Sequence, residues 1–344
     1  MFYKSETKSV AQSHKARHLM SVMLYLKVLS EFSPELGAGL SSRRLAVASC
    51  GNAGLAAATI AAAAQWPIDV FVPPNASPVV LERLRELGAE VQLCHKEAGV
   101  EGDPCMHAFA AAIEAGSIPF SVQGSANGLV VEGSNTILFE ILTALRRDHG
   151  IDRIGALYTQ VGGGAFGSGI IQGLRQAVSL GALPEMPVFN TVQTEGGHPL
   201  HRAHEAIVQT CLDGTAAPEN QARHEAMARA VQERGSYMFP WLDPHSIAHG
   251  ILDDETYDWA NLCDGMLQTG GESIVVSDDR VCEAAAIAHG DMGVDCCHTG
   301  AAGLAGLLHQ RAKGTFKTAE GPAVVILTGH NRDGKKAWPE EAKL

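Results

Sequence analysis

The chain has 344 residues, of which 46% are hydrophobic, and it carries a formal net charge of −12. A chain of this length can bury a large core, and the expected organisation is two domains. Its acidic balance, without a basic block, argues against nucleic acid and against an anionic membrane as main partners, and it favours a small-molecule ligand.

Eight cysteines are scattered along the chain, and none forms a Cys-x-x-Cys pair. This spacing indicates neither a zinc ribbon nor a disulfide framework, and it favours reduced thiols. No charged and then apolar leader opens the chain, and the apolar stretches are too short or too interrupted to span a bilayer. We therefore expect a cytoplasmic protein with no metal site and no membrane anchor.

The first half of the chain alternates strand-like and helix-like segments. Residues 2–8 are strand-like, although no earlier element exists to pair with them, and a helix follows at 19–29. Further strands are predicted at 45–49, 68–73 and 89–93, alternating with helices at 55–65, 77–87 and 106–115. This alternation predicts parallel strands joined by crossover helices, with ligands beyond the carboxyl ends of the strands.

The second half repeats the alternation. Strands are predicted at 154–161, 188–193, 272–276 and 323–327, with helices at 136–147, 168–179, 198–209, 222–233, 278–289 and 298–313. The sequence thus predicts an α/β fold of two three-layer αβα lobes with mainly parallel sheets and a cleft between them. Residues 1–127 would form the N-terminal lobe and residues 128–344 the C-terminal lobe.

A glycine-rich stretch follows the predicted strand 154–161. Residues 162–169 hold five glycines in eight positions, and a helix comes next. Because glycine loses more backbone freedom on folding than any other residue, such a stretch needs a physical reason. Unpaired amides and the positive end of a helix dipole make this turn a seat for a phosphate. A tight turn packed against its neighbours is the structural alternative.

Two further features favour a phosphorylated cofactor. A second glycine-bearing strand-to-helix turn runs from Ser49 to Gly54, with polar Ser49 and Asn52 at its tip. Lys15 stands at the start of a predicted helix, although cations are favoured at the other end of the helix dipole. This position would lower the pKa of the amine, which suits a lysine that forms a Schiff base. A solvated lysine is the alternative.

The order of these motifs along the chain is informative. Ser13-His14-Lys15 comes first, then the Ser-x-Gly-Asn-x-Gly turn, the triple glycine, and Thr328-Gly329-His330 after the last strand. This order resembles the fold-type II pyridoxal-phosphate enzymes, the tryptophan synthase β superfamily, which includes threonine synthase and the serine/threonine dehydratases. The resemblance covers nearly the whole chain.

The resemblance implies a role for each motif around pyridoxal 5'-phosphate in the cleft. Lys15 would carry the cofactor as a Schiff base and then take the Cα proton of the substrate. Asn52 would contact the hydroxyl oxygen of the cofactor ring, and Thr328 would face the pyridine nitrogen. The substrate carboxylate would be bound by Ser49, Cys50, Gly51 and Asn52. The phosphate would be bound by Gly162, Gly163, Gly164, Ala165 and Phe166.

The chemistry implied is elimination or replacement at a small β- or γ-substituted amino acid by a carbon–oxygen lyase. A neutral hydroxyl at Thr328 would leave the ring nitrogen unprotonated, and this weaker electron sink fits elimination better than transamination. Threonine synthase, which converts O-phosphohomoserine to threonine, is favoured by Thr328-Gly329-His330 with the later Asp333-Gly334-Lys335, by the stretch from Thr136 to Glu140, and by the Val-Gln-Thr-Glu-Gly run at 192–196. The Ser-x-Gly-Asn-Ala-Gly turn instead resembles an L-serine/L-threonine ammonia-lyase (dehydratase).

Two departures from the family pattern support another alternative. His14 replaces the usual Phe, and only fourteen residues precede Lys15. A catalytically silent or N-terminally truncated paralogue that binds the cofactor is therefore also considered. A third departure, Cys50 in place of Ser or Thr, would alter the contacts with the substrate carboxylate. The family implies a homodimer, and symmetric dimers are the commonest oligomers.

Overall fold

A computed structural model of the protein describes residues 1–96 and 102–332. The strands are β1 (Phe2–Ser5), β2 (Leu45–Ala48), β3 (Ile68–Val72), β4 (Glu90–Leu93), β5 (Ile118–Pro119), β6 (Ala156–Gln160), β7 (Val188–Thr194), β8 (Ser273–Val276) and β9 (Ala323–Leu327). Over these described ranges, no helix has both the length and the apolar character that crossing a bilayer requires.

The helices alternate with these strands. They are α1 (Lys15–Phe32), α2 (Pro34–Ser41), α3 (Asn52–Ala64), α4 (Pro78–Glu86), α5 (Pro104–Glu114), α6 (Val130–His149), α7 (Ala165–Ser179), α8 (Pro199–Cys211), α9 (Asn220–Gln232), α10 (Arg234–Tyr237), α11 (Trp259–Thr269), α12 (Asp278–Gly290) and α13 (His298–Lys313). Two 3₁₀ turns, Val10–Gln12 and His249–Ile251, complete the set of regular elements in the described chain.

The chain divides into two compact units. Lys8–Gly133 forms the N-terminal unit, and Met1–Thr7 joins the chain from Ser134 onward in the C-terminal unit. The sequence-based division at 127/128 differs from this in two ways. The first seven residues belong to the C-terminal unit because β1 pairs with β9. The boundary between Gly133 and Ser134 falls inside α6. The sequence predicted this continuous helix to begin only at Thr136.

The N-terminal unit is built on a parallel sheet of four strands in the order β4-β3-β2-β5. All five residues of β3 are buried, since it is an interior strand. One of them is Asp69, whose carboxylate accepts a hydrogen bond from Arg44 at 2.8 Å. This bond offsets the cost of burying the carboxylate. The edge strand β4 is largely exposed.

The C-terminal unit is built on a parallel sheet of five strands in the order β1-β9-β6-β7-β8. Side chains alternate between the two faces of a strand, so neighbouring residues of β6 enter different cores. Leu157 packs into a core shared with α6, α7, α8, α9 and α11, and Tyr158 into one shared with α12 and α13. Helices therefore cover both faces. The predicted α/β fold with mainly parallel sheets is confirmed.

The first strand finds its partner near the other end of the described chain. Phe2 lies opposite Val324 and Ser5 opposite Leu327, in parallel register. Lys4, on this strand, forms ion pairs with Glu6 at 3.2 Å and Glu140 at 2.8 Å. The strand-like character of these first residues is thus explained by a pairing that is remote in sequence.

Candidate active site

The glycine loop joins the buried strand β6 to α7, which begins at Ala165, three residues earlier than predicted. Gly164 has a φ of +102°, in the left-handed region that favours glycine. Unpaired amides at a helix N-terminus are suited to an anion. Within the described residues, no hydrogen-bond acceptor is found for the amides of Gly162, Gly163, Gly164 and Ala165. The loop therefore fits a phosphate.

The packing around the glycine loop also limits the size of the residues it can hold. A Cβ atom on Gly162 would lie 2.3 Å from Oδ2 of Asp253 and 3.0 Å from Cα of Ile251. A larger residue at this position would have to move the Asp253 carboxylate and would crowd the backbone at Ile251. One loop can thus be both a tightly packed turn and a phosphate-binding site. Its unpaired amides are the evidence for phosphate binding.

A carboxyl group also lies at this loop. Asp258 precedes α11 and donates its backbone N–H to the carbonyl oxygen of Gly163 at 3.0 Å. Although aspartate is a preferred residue at such a helix start, its side chain makes no capping hydrogen bond. Its Oδ2 is buried and has no partner among the described residues. Burial raises the pKa of this carboxyl to about 6.

Sequence reasoning did not assign Asp253 or Asp258 to the site. Neither residue follows a strand directly, and both lie some 90 positions beyond the glycine loop that they contact. The only available signal was the acidic run at 253–255, which is more often a solvated turn. In this run Asp254 is exposed and Glu255 forms an ion pair with Arg234.

Thr328 lies directly after β9, beside the end of the neighbouring strand β6. Its side chain is buried, and its Oγ1 accepts a hydrogen bond from Nε2 of Gln160, the last residue of β6. The hydroxyl proton of Thr328 remains available for donation to an acceptor. Oε1 of Gln160 is buried without a partner in the described chain. This arrangement suits a neutral ring nitrogen that accepts a hydrogen bond.

The backbone of Thr328 is held against the start of α13. Its N–H donates to the carbonyl oxygen of Gly300 at 3.2 Å. The N–H of Gly300 in turn donates to Sγ of Cys297 at 3.4 Å, so a thiol caps this helix. Burial raises the pKa of Cys297, which keeps the thiol neutral. Thr328 is therefore held by hydrogen bonds to two elements of its own unit, α13 and β6.

In the N-terminal unit, Lys15 is the first residue of α1. The sequence placed Lys15 at the start of a helix bounded at 19–29, and the helix begins four residues before that bound. His14 precedes it and makes no side-chain capping hydrogen bond. Ser13 is fully buried, and its Oγ has no partner among the described residues. An unsatisfied buried hydroxyl two residues before the lysine is a feature that a bound polar group would satisfy.

Two buried histidines flank Lys15 on the same helix turn. Nδ1 of His18 lies 2.7 Å from the carbonyl oxygen of Val130, and the His14 and His18 rings are 5.5 Å apart. Burial, and then the charge of Lys15, lower the pKa of both imidazoles, that of His18 to about 3. Both rings are therefore neutral at physiological pH. His14 thus adds no charge where the family pattern has an aromatic ring.

The second glycine turn joins β2 to α3, which begins at Asn52. Ser49 donates its N–H to Phe71 at 3.1 Å, and its Oγ accepts from the N–H of Gly51 at 3.3 Å. A Cβ atom on Gly54 would lie 2.2 Å from the carbonyl oxygen of Ser49, so glycine is required there. Cys50 and Gly51, at the tip, are exposed.

The predicted site residues therefore form one group in each unit. In the C-terminal unit, Thr328 and the glycine loop follow the carboxyl ends of neighbouring strands. In the N-terminal unit, Lys15 and Asn52 begin α1 and α3, two helices that pack together. Their roles toward cofactor and substrate stay predictions. Asp333-Gly334-Lys335 lies outside the described residues.

A family model for pyridoxal-phosphate dependent enzymes matches residues 1–329. The chain therefore belongs to this family, as its motif order had indicated, and its cofactor is pyridoxal 5'-phosphate. The unpaired loop amides and the buried Thr328 hydroxyl are consistent with this assignment.

Among curated proteins, similarity is found to serine and threonine dehydratases. L-serine dehydratase of Saccharomyces cerevisiae (strain AWRI1631) is 36% identical over 140 residues, which cover 39% of this chain and 41% of that enzyme. Human L-serine dehydratase/L-threonine deaminase is 27% identical over 207 residues, which cover 60% of this chain and 57% of that enzyme. The chain thus spans less than two thirds of the length of either relative.

Solved structures share the fold over almost the whole chain. The processed form of threonine deaminase isoform 2 from Solanum lycopersicum has a TM-score of 0.68 at 19% identity, covering 96% of this chain and 79% of that one. A fungal L-serine ammonia-lyase from Rhizomucor miehei has a TM-score of 0.66 at 17% identity, covering 96% and 88%. At these identities the likeness establishes the fold.

Proposed function

We propose that this chain is an ammonia-lyase that deaminates L-serine or L-threonine with pyridoxal phosphate. The names of the relatives support this reaction, since they are serine dehydratases and threonine deaminases. They favour the dehydratase alternative over threonine synthase, which the sequence had placed first. The Ser-x-Gly-Asn-Ala-Gly turn at 49–54 supports the same choice.

The structural observation that carries the proposal is the hydrogen bond from Gln160 to Thr328. Because the Thr328 oxygen accepts from Gln160, its own proton is free to be donated to a neutral ring nitrogen. When bound, pyridoxal phosphate supplies a ring that accepts electron density from the substrate's Cα. Facing a hydroxyl and not a carboxylate, that ring is a moderate electron sink, which suits loss of a β-hydroxyl group.

The other residues bind and orient the reactants. The amides of residues 162–165 would bind the phosphate, and the turn 49–52 would bind the substrate carboxylate. Nζ of Lys15 would hold the cofactor and then accept the proton from Cα. Burial and the charge of Lys15 lower the pKa of His14, so its imidazole is neutral. Lys15, and not His14, is therefore the group that would act as the base.

A parallel substrate screen tests the reaction. Purified protein with added pyridoxal phosphate is incubated separately with L-serine, L-threonine and O-phosphohomoserine, and the products are identified by mass. We expect pyruvate from serine and 2-oxobutyrate from threonine, each with one equivalent of ammonia. Threonine and free phosphate from O-phosphohomoserine would establish threonine synthase in its place. No turnover of any of the three by cofactor-loaded protein would favour the silent paralogue.

Two lysine variants on the same helix separate chemistry from folding. Lys15→Ala should abolish covalent cofactor binding and turnover. Lys27→Ala is the matched control, since Lys27 lies three turns further along α1 and donates to the carbonyl oxygen of Ala64 at 3.3 Å. We expect it to retain activity. Full activity of the Lys15→Ala protein would refute the assigned role.

A further inference from the structure

Gln160, the last residue of β6, lies with its side chain against Thr328 in the interior of the C-terminal unit. Both residues are buried. Nε2 of Gln160 donates to Oγ1 of Thr328, while Oε1 of Gln160 has no partner among the described residues. A buried acceptor without a partner is destabilising, and an apolar side chain of similar length would avoid this loss. The amide at position 160 therefore calls for a functional explanation.

Helix α13 limits the space around this amide. A Cβ atom on Gly303 would lie 3.3 Å from Oε1 of Gln160 and 3.3 Å from the carbonyl oxygen of Tyr158. About one turn earlier, a Cβ atom on Gly300 would lie 2.8 Å from the backbone nitrogen of Gly329. The helix thus approaches the ends of β6 and β9 closely at two glycines. In such close packing the Gln160 side chain has little freedom to leave Thr328.

The hydrogen bond between these two residues fixes the direction of the Thr328 proton. A hydroxyl group has one proton to donate and two lone pairs that accept. Because Nε2 of Gln160 can only donate, the Thr328 proton cannot be directed toward it. Thr328 is therefore held as a donor toward any other polar group that it meets. A carboxylate oxygen in the place of Nε2 would accept this proton and would leave Thr328 as an acceptor.

We propose that Gln160 is a positioning residue, which keeps the ring nitrogen of pyridoxal phosphate unprotonated by holding Thr328 as a hydrogen-bond donor. This role of Gln160 rests on the proposed function, in which Thr328 faces that nitrogen. A nitrogen that accepts the Thr328 proton has no proton of its own, and the ring then remains a moderate electron sink. Gln160 thereby favours loss of the β-hydroxyl group over transfer of the amino group to the cofactor.

Nitrogen NMR tests the state of the ring directly. The protein is loaded with pyridoxal phosphate that is isotopically labelled at the ring nitrogen, and the signal is followed as the pH is lowered. Gln160→Glu offers a carboxylate to the Thr328 proton, so the ring nitrogen should bind a proton at a higher pH than in wild type. Gln160→Met keeps the length of the side chain but lets the Thr328 hydroxyl turn. Its protonation midpoint should lie between those of wild type and Gln160→Glu.

Gln193→Glu is the matched control for the added charge. Gln193 lies on β7 and is also buried, and its Oε1 accepts from the N–H groups of Leu200 at 2.9 Å and His201 at 3.2 Å. Glutamate can keep these two bonds while it places the same charge in the interior of the same unit. The ring-nitrogen signal of this variant should follow that of wild type. Circular dichroism melting shows whether each variant folds.

The products of turnover provide a second readout. With L-serine, transfer of the amino group leaves the cofactor in its pyridoxamine form and releases hydroxypyruvate. Elimination releases pyruvate and ammonia and leaves the cofactor unchanged. Gln160→Glu should raise the frequency of amino transfer per turnover about tenfold, because a protonated ring is a stronger electron sink. Loss of the cofactor's visible absorbance during turnover measures this frequency.

The same protonation midpoint in wild type, Gln160→Met and Gln160→Glu would overturn the role of Gln160. An equal response of Gln193→Glu, or a wild-type ring nitrogen that is protonated at neutral pH, would overturn it as well. The proposed deamination is tested separately by the substrate screen. A wild type that releases no pyruvate from L-serine, while its ring nitrogen responds to Gln160→Glu as expected, would refute the proposed function and support the role of Gln160.

Discussion

The two glycine-bearing turns, 49–54 and 161–167, look alike in sequence but differ in how they are enforced. Both follow a buried strand and open a helix. The tip of the first turn is exposed, and a Cβ atom on Gly51 would meet nothing within 4 Å. The second turn is covered by the segment 251–258, so that a Cβ atom on Gly162 would collide with Asp253 and Ile251.

A local glycine signature therefore does not reveal what holds a turn in place. At 49–54 the constraint lies within the turn itself. Only position 54 must be glycine, because a Cβ atom there would collide with the carbonyl oxygen of Ser49. At 162–164 the constraint comes from residues some 90 positions away. An open tip suits a loop that adapts to a substrate, and a covered loop suits a fixed phosphate seat.

We expect the greatest loss of stability when the internal constraint on the turn 49–54 is broken. Gly54→Ala would push a Cβ atom to 2.2 Å from the backbone oxygen of Ser49, and neither group can move without distorting the turn. We expect a loss of about 3 kcal/mol in the free energy of unfolding. Gly51→Ala is the control, with a change of less than about 1 kcal/mol. Urea denaturation of both proteins measures the free energies of unfolding. Equal losses of stability in the two variants would show that Gly54 is not specifically constrained by Ser49.

A somewhat smaller effect is expected at the covered turn. Gly162→Ala must shift the Asp253 carboxylate, which is flexible, and the Ile251 backbone, which is not. We expect a loss of about 2 kcal/mol in stability. The affinity for pyridoxal phosphate should fall at least tenfold, because the loop amides would no longer converge. Cofactor titration monitored by absorbance checks this, and unchanged affinity would show that the loop does not bind the phosphate.

The smallest effect concerns the pH dependence of the covered turn. Burial raises the pKa of Asp258 from 3.8 to about 6, so the folded chain binds this proton more tightly than the unfolded chain. Its contribution to stability is therefore present below about pH 4 and is lost as the pH rises through 6. Asp258→Asn carries no charge at any pH and escapes this loss.

The stability of Asp258→Asn relative to wild type should therefore increase between pH 4.5 and pH 7.5. Allowing for the partial exposure of this carboxyl, the increase should be about 1 kcal/mol. Denaturant unfolding without cofactor at the two pH values measures it. Asp254→Asn, at an exposed position of the same segment, should show no such change. If the stability difference between Asp258→Asn and wild type were the same at both pH values, the Asp258 carboxyl would not be buried.

Much of the fold could be predicted because its signals are local. The apolar runs at 68–73 and 323–327 and the helix start at Lys15 depend on neighbouring residues alone. The motif order was enough to indicate the family. By contrast, the pairing of β1 with β9 and the hydrogen bond from Gln160 to Thr328 join residues far apart in the chain. No local pattern encodes them.

The covering of the glycine loop was unpredictable for the same reason. Asp258 stands at a helix start, where the sequence favours a capping role, yet its side chain caps nothing and lies at Gly164. Tertiary packing overrides the local preference. The threonine synthase preference depended on short motifs at 192–196 and after β9, which the named relatives did not support.

Locating the covalently bound cofactor tests the role of Lys15 directly. Protein loaded with pyridoxal phosphate is reduced with borohydride, digested with trypsin and analysed by mass spectrometry. Trypsin does not cut after a modified lysine, so we predict a phosphopyridoxyl group on a peptide spanning residues 9–17, attached to Lys15. Attachment to Lys4, Lys8 or Lys27, or an unmodified Lys15 in catalytically active protein, would contradict the assignment of Lys15 as the residue that holds the cofactor.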